Sequence, residues 1–284
     1  MPIWDALLAR PAALDEATVT AWFDRIAARL LCSTRLDVAG APHRLTEIEF
    51  YYYDAQHHPD PFTHRDPVQF GIGRWYFHKT GGTYRGGSFK GIDLTFGSGG
   101  ASGGVLIRGL ERPDGTLVDG PSLCVDHLVA ACGHTTVAAL DAAIAGRLAW
   151  AGENPLHLRE TAAEPRSILS TARIGLALRR SKPDPEGPRY VLRRYRHLSE
   201  PRRIAKGKAH AVLALHLDGT PPAQIHARTG CPLPTVTRHI ADFEAGRQVA
   251  DFDAYYDRDP KPPMLGRMHG TGHALRIPGA RPKP

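Results

Sequence analysis

The 284-residue chain has no uninterrupted apolar run long enough to cross a bilayer, and its first residues hold no charged-then-apolar leader. These absences predict a protein without a membrane partner, expected in the cytoplasm. Its four cysteines, Cys32, Cys124, Cys132 and Cys231, include no C-x-x-C pair, which predicts reduced thiols. An acidic excess is also missing: 36 Lys and Arg against 29 Asp and Glu give a formal charge of +7. That balance favours a phosphate-bearing partner. The basic residues crowd one stretch, with Arg173, Arg179, Arg180, Lys182, Arg189, Arg193, Arg194, Arg196, Arg202, Arg203, Lys206 and Lys208 entering the C-terminal third, a concentration that suits a polyanion. The segment FGSGGASGG lacks a P-loop lysine and leads into strand-like VLIRGLE, so it predicts a hairpin connection and no phosphate loop.

Hydrophobic periodicity predicts a helix over 14–31 and strands over 32–38, 44–53, 74–78, 83–89, 91–96 and 105–110, separated by glycine-rich turns. A helix is expected over 134–150, then two strands over 172–178 and 190–195 around the proline-rich turn 183–188. The fold class is α+β, with a compact, mostly antiparallel β domain and flanking helices over 1–201. Three helical blocks follow in 202–248, broken at Asp218–Gly219 and Gly230–Cys231–Pro232. A basic Pro/Gly-rich tail over 249–284 is expected to be extended or disordered.

The strand LTEIEFYYY sends Leu45, Glu47, Glu49, Tyr51 and Tyr53 to one face and Thr46, Ile48, Phe50 and Tyr52 to the other. Two carboxylates thus lie beside tyrosines. Such a face is either a solvated amphipathic surface or an acid/base pair next to aromatic rings that stack on a flat ligand. The loop YDAQHHPDPFTHRD holds His57, His58, Asp60, His64 and Asp66, donors suited to a metal but without regular ligand spacing.

Gln224, Ile225, Ala227, Thr229 and Gly230, followed by Thr235, Val236, Arg238 and Ile240, resemble the helix-turn-helix of resolvase-like modules. Ile225, Val236 and Ile240 are expected to pack together, Gly230 to make the turn, and Thr235, Thr237, Arg238 and His239 to lie on the face presented to double-stranded DNA. A plain packing module is the alternative.

The stretch AARLLCSTRLDVAGAPHRLTEIEFYYYD, then HKTGGTYRG, GGVLIRGLE, VDGPSLCVDHL, ARIGLAL and PRYVLRRY, resembles in order the alkyladenine (3-methyladenine) DNA glycosylase family over most of residues 22–200. That resemblance implies an enzyme that flips a damaged base and hydrolyses its N-glycosidic bond, with neither metal nor other cofactor. By the same resemblance Glu49 activates water, Tyr51 stacks on the base, His64 is the pocket histidine and Arg108 stands near the water. Ser88 occupies the place of the family's wedge tyrosine, leaving Phe89 beside it and Tyr84 as wedge candidates, and Thr95 stands where the family has asparagine. Two competing expectations are a non-catalytic DNA-binding regulator that senses a base or small ligand, and a metal-dependent hydrolase built on the His57–Asp66 loop. Oligomeric state and the excised base are left open.

Overall fold

The computed structural model describes residues 3–179 and 184–277, so Arg180, Lys182 and Pro183, and the chain end from 278, lie outside the described residues. It is a mixed α+β protein with a mostly antiparallel sheet, divided into two compact units. Unit 1 comprises Met1–Pro59 and Thr63–Ile168; unit 2 comprises Asp60–Phe62 and Leu169–Pro284.

Unit 1 opens with α1 (Ile3–Leu8) and α2 (Glu16–Cys32), followed by β1 (Thr34–Val38), β2 (Ala41–Asp54) and the short β3 (His58–Pro59). Next come β4 (Ile72–Phe77), the small hairpin β5 (Lys79–Thr80) and β6 (Thr83–Tyr84), then β7 (Ile92–Phe96), β8 (Ser102–Glu111) and β9 (Leu117–Asp119). The unit ends with α3 (Pro121–Ala131), α4 (Val137–Ile144) and β10 (Leu156–Glu160). Its main strands run in the order β10-β1-β2-β8-β7-β4, and each neighbouring pair is antiparallel.

Asp15 starts α2 by accepting the backbone N–H and the hydroxyl of Thr18. The helix buries Trp22, Phe23, Ile26 and Leu30. Phe23 stacks on Phe50 at 4.5 Å between centroids, and Trp22 meets Tyr52 and Phe96 edge-on. The Ile48/Phe50/Tyr52 face of β2 is therefore the core side, as the alternation predicts, and the glutamates are left to the opposite side of the sheet.

Unit 2 contains the antiparallel pair β11 (Leu169–Thr171) and β12 (Arg196–Leu198), with α5 (Gly187–Leu192) between them in sequence. Then come α6 (Lys208–Leu217), α7 (Pro222–Thr229), α8 (Leu233–Gly246) and α9 (Pro262–Ala274). The three expected helical blocks are α6, α7 and α8. Ile225, Val236 and Ile240 do pack together, and Gly230 caps α7 at φ 66°.

Several expectations are corrected. The division falls at 168/169 and not near 201, because Leu169 and Leu198 share one core with Val212, Leu215, Ile225 and Val236. The expected strand over 172–178 is irregular, and Gly187–Leu192 is a helix. The expected helix over 134–150 shrinks to α4, which stops where Ala145 turns left-handed at φ 51°. Only Thr83–Tyr84 of the 83–89 strand is extended. The tail forms α9, whose glycines pack against α8: a Cβ on Gly270 would lie 1.9 Å from the Phe243 carbonyl oxygen. No helix among the described residues is long and apolar enough to cross a membrane.

Candidate active site

The polar side of the unit 1 sheet carries two clusters. Strand β2 contributes Glu47, Glu49 and Tyr51, with register shifts on either side of Glu47, and β8 contributes Arg108. Glu49 is fully buried, and Glu47 and Arg108 nearly so. The Arg108 guanidinium donates through Nε to Glu47 at 2.8 Å and through Nη1 to Glu49 at 3.4 Å, while the Tyr51 hydroxyl donates to Glu49 at 2.9 Å. The flanking carboxylates raise the pKa of Arg108 against its burial, so the cation is permanent. One fixed positive charge thus serves two carboxylates.

Register then carries the polar side across the sheet. Glu49 faces Leu106 on β8, which faces Asp93 on β7, which faces Tyr76 on β4, so all four side chains share one face. The second cluster is centred on Asp93, which is buried. One oxygen receives Gln69 Nε2 at 2.9 Å and the other meets His78 Nε2 at 2.8 Å. His64 lies against His78 at 4.4 Å between ring centroids, with Tyr76 6.1 Å from His64. Two glycines make the arrangement possible. A Cβ on Gly104 would lie 2.5 Å from an Asp93 oxygen, and one on Gly91 would lie 2.5 Å from the His78 ring. Burial, reinforced by His78, lowers His64 to about 4, so His64 is neutral at pH 7.

Of the expected site residues, Glu49, Tyr51 and Arg108 are in direct contact, and His64 joins the Asp93 cluster on the same sheet face. Thr95 is fully buried two residues from Asp93, its hydroxyl accepting the backbone N–H of Arg74 at 2.9 Å. The two wedge candidates differ. Phe89 is 73% exposed, whereas the Tyr84 hydroxyl donates to Asp141 at 2.6 Å and its ring lies under Lys79. Both line an open cleft of about 470 Å³ with Thr80, Thr83, Arg85 and Gly86. Tyr84 is an anchor of the hairpin; Phe89 is the free aromatic.

Sequence inspection missed Asp93, His78, Gln69 and Tyr76. Their one visible signal was alternation: IDLTF places Asp93 and Thr95 on the polar side of an otherwise apolar strand.

The His57–Asp66 donors disperse. His57 meets Asp54 at 3.1 Å, and His58 is buried with Nδ1 on the Tyr52 carbonyl. Asp60 pairs with Arg173, and Asp66 caps the short 3₁₀ turn Pro67–Phe70. Among the described residues no group of three or more His, Cys, Asp or Glu side chains is arranged to hold a metal.

In unit 2 the expected DNA-facing set splits. Thr237 and Arg238 are exposed, but His239 is buried and Thr235 is half-buried, because positions 235 and 239 are one helical turn apart on the inner side of α8. The basic concentration also divides. Arg173, Arg193 and Arg196 are among the most fully buried large side chains, and Arg194 pairs with Asp218. Arg202, Arg203, Lys206, Arg228 and Arg238 remain at the surface.

No protein-family model matches the chain. Over 123 residues it is 33% identical to an uncharacterized protein of Acanthamoeba polyphaga mimivirus, a match spanning 38% of this chain and 56% of the viral protein. The chain thus spans about half the length of the relative it matches.

Proposed function

We propose that unit 1 is an alkyladenine-glycosylase-like DNA N-glycosylase, and that the α6–α8 helix-turn-helix of unit 2 holds it on double-stranded DNA. The observation that carries this reading is the Glu49 carboxylate fixed between the Arg108 guanidinium and the Tyr51 hydroxyl on the polar side of the sheet. In the reaction Glu49 takes a proton from water as the oxygen attacks the anomeric carbon, and the base departs from the sugar. Arg108 orients Glu49. Neutral His64 offers one hydrogen bond to the base, and Phe89 fills the gap left in the stack. The exposed Arg202, Arg203, Lys206 and Arg238 supply phosphate contacts. A protein that works this way belongs with the nucleoid.

A second reading is favoured by one specific observation. Glu49 is wholly withdrawn from solvent and engaged by two partners, which also suits a rigid, non-catalytic base sensor in a DNA-binding regulator.

The test is to incubate the protein with duplexes carrying alkylated, deaminated and hypermodified bases and then probe for abasic sites. Glu49→Gln is expected to lower the single-turnover rate by about 10²–10⁴ while binding changes little. Glu47→Gln is expected to lose less, since Glu47 acts through the Arg108 guanidinium that it shares with Glu49. Undiminished excision by Glu49→Gln would remove the assignment; binding without any abasic product from the whole panel would select the sensor reading.

A further inference from the structure

Apart from the clusters of Glu49 and Asp93, two histidines of unit 1 meet ring to ring. His43, near the start of β2, is 2% exposed, and His127, on α3, is half-buried. Their Nε2 atoms stand 2.8 Å apart, with ring centroids at 4.9 Å. The other nitrogen of His43, Nδ1, lies 2.8 Å from the Ala41 carbonyl oxygen. A carbonyl oxygen only accepts, so the proton of neutral His43 is on Nδ1 and its Nε2 is a bare lone pair. His127 then supplies the proton shared between the two Nε2 atoms, which fixes its tautomer as well.

His43 is therefore in the state in which a histidine ligates a metal, with one ring nitrogen donating to a backbone carbonyl and the other presenting its lone pair in a set direction. Moving the His127 proton from Nε2 to Nδ1 turns both Nε2 atoms into lone pairs aimed at one place, with no proton gained or lost. Two nitrogens each about 2.0–2.1 Å from a tetrahedral zinc ion stand about 3.3 Å apart, so the pair needs to open by only about 0.5 Å from its 2.8 Å. The half-buried His127 ring has room for that movement on its solvent side. The charged side chains near His127 are Arg112 and Asp114 of the β8–β9 turn, which are of opposite sign and largely cancel. The choice of ion is thus left to the imidazoles, which suit zinc and copper, whereas Mg²⁺ and Ca²⁺ take oxygen ligands.

We propose that His43 and His127 form a two-histidine site for a divalent transition-metal ion of the zinc and copper class, with water completing the coordination beside His127. Two protein ligands fall short of a closed four-ligand site, so the ion is exchangeable. The site shares no residue with the chemistry proposed for unit 1 and does not depend on it. A bound ion ties the start of β2 to α3, the helix on which the turn of Phe89 rests: Ser122 Oγ donates to the Gly87 carbonyl at 2.7 Å, and Asp126 pairs with Lys90.

The test uses the full-length, untagged protein labelled with ¹⁵N-histidine, its imidazole nitrogen shifts followed at pH 7 in separate titrations with ZnCl₂ and MgCl₂. Before metal is added, His43 is expected as the Nδ1–H tautomer and His127 as the Nε2–H tautomer. Zn²⁺ is expected to move both Nε2 resonances together and saturably at one ion per chain, and to switch His127 to the Nδ1–H tautomer; Mg²⁺ is expected to move neither. His127→Gln, checked for an unchanged helical spectrum, is expected to weaken Zn²⁺ binding at least tenfold. Should that variant fail to fold, the wild-type shifts decide. Nε2 resonances of His43 and His127 that stay in place at saturating Zn²⁺, whether or not other histidines move, overturn the proposal and leave the pair as a hydrogen-bonded lock between β2 and α3. Binding by a folded His127→Gln as tight as that of the wild type overturns it equally.

Discussion

A charge at one residue takes its meaning from its neighbours, and Arg108 and His64 are the clearest cases. Arg108 is shared by Glu47 and Glu49, so neutralising either carboxylate also changes how the other is held. His64 and His269 sit at about 4 in the fold, well below the ordinary imidazole value of about 6.5. Between those values the unfolded chain binds protons that the folded chain does not, so stability falls as pH drops through this window and is fully present above it. His127, His216 and His239 are lowered in the same direction and add to the slope. Urea midpoints measured from pH 7 to pH 5 are expected to fall steadily, and His269→Phe to flatten the fall; a pH-independent midpoint would contradict the neutral imidazoles. The hairpin offers a second residue-scale contrast. Phe89→Ala is expected to slow excision from duplex by roughly tenfold and to spare single strands, where no stack needs filling. Tyr84→Phe loses only its Asp141 bond, about 1 kcal/mol of stability.

Elements were legible where one period dominated. The 3.6-residue spacing of Trp22, Phe23, Ile26 and Leu30 marks α2, and the two-residue alternation of β2 places Glu49 and Tyr51 on a common face. The three blocks of the helix-turn-helix followed from Asp218–Gly219 and Gly230–Cys231–Pro232. What stayed hidden depended on tertiary context. Tyr190–Leu192 has the composition of a strand yet closes a short helix started by Pro188. The Pro, Gly and basic content of the 249–284 tail suggested disorder, but its Gly266 and Gly270, with Gly246 of α8, let α9 lie backbone-close on α8. Nor does any local pattern reveal that Asp93 and His78 join Glu49's side of the sheet, since register across β2, β8, β7 and β4 decides it. The α8/α9 contact gives an element-scale prediction: Gly270→Ala cannot fit without separating the helices, and is expected to cost about 1–3 kcal/mol or more, read as a lowered melting temperature.

For the whole molecule, the basic run over 173–208 overstates the cations available to a polyanion, because Arg173, Arg193 and Arg196 are spent inside unit 2. Binding to duplex DNA is therefore expected to show a moderate salt slope, reduced by about 1 in Arg238→Ala, as measured by titration from low to physiological salt. An unchanged affinity and slope would make α6–α8 a packing module. The chain path adds a constraint of another kind. Asp60 lies far ahead of the rest of unit 2 in sequence, yet its carboxylate meets Arg173 across 113 residues with both side chains fully withdrawn from water. Asp60→Asn removes the charge that balances that buried guanidinium and is expected to cost about 3–5 kcal/mol, seen as early loss of helical signal on heating. During synthesis, Asp60 leaves the ribosome long before Arg173 exists and must wait while all of β4 to β10 is made. The helical part cannot complete its interior until the earlier strand-rich part has been threaded out, so the two are inherited together: neither excision of residues 169–284 nor their transplantation onto another protein carries the whole of unit 2.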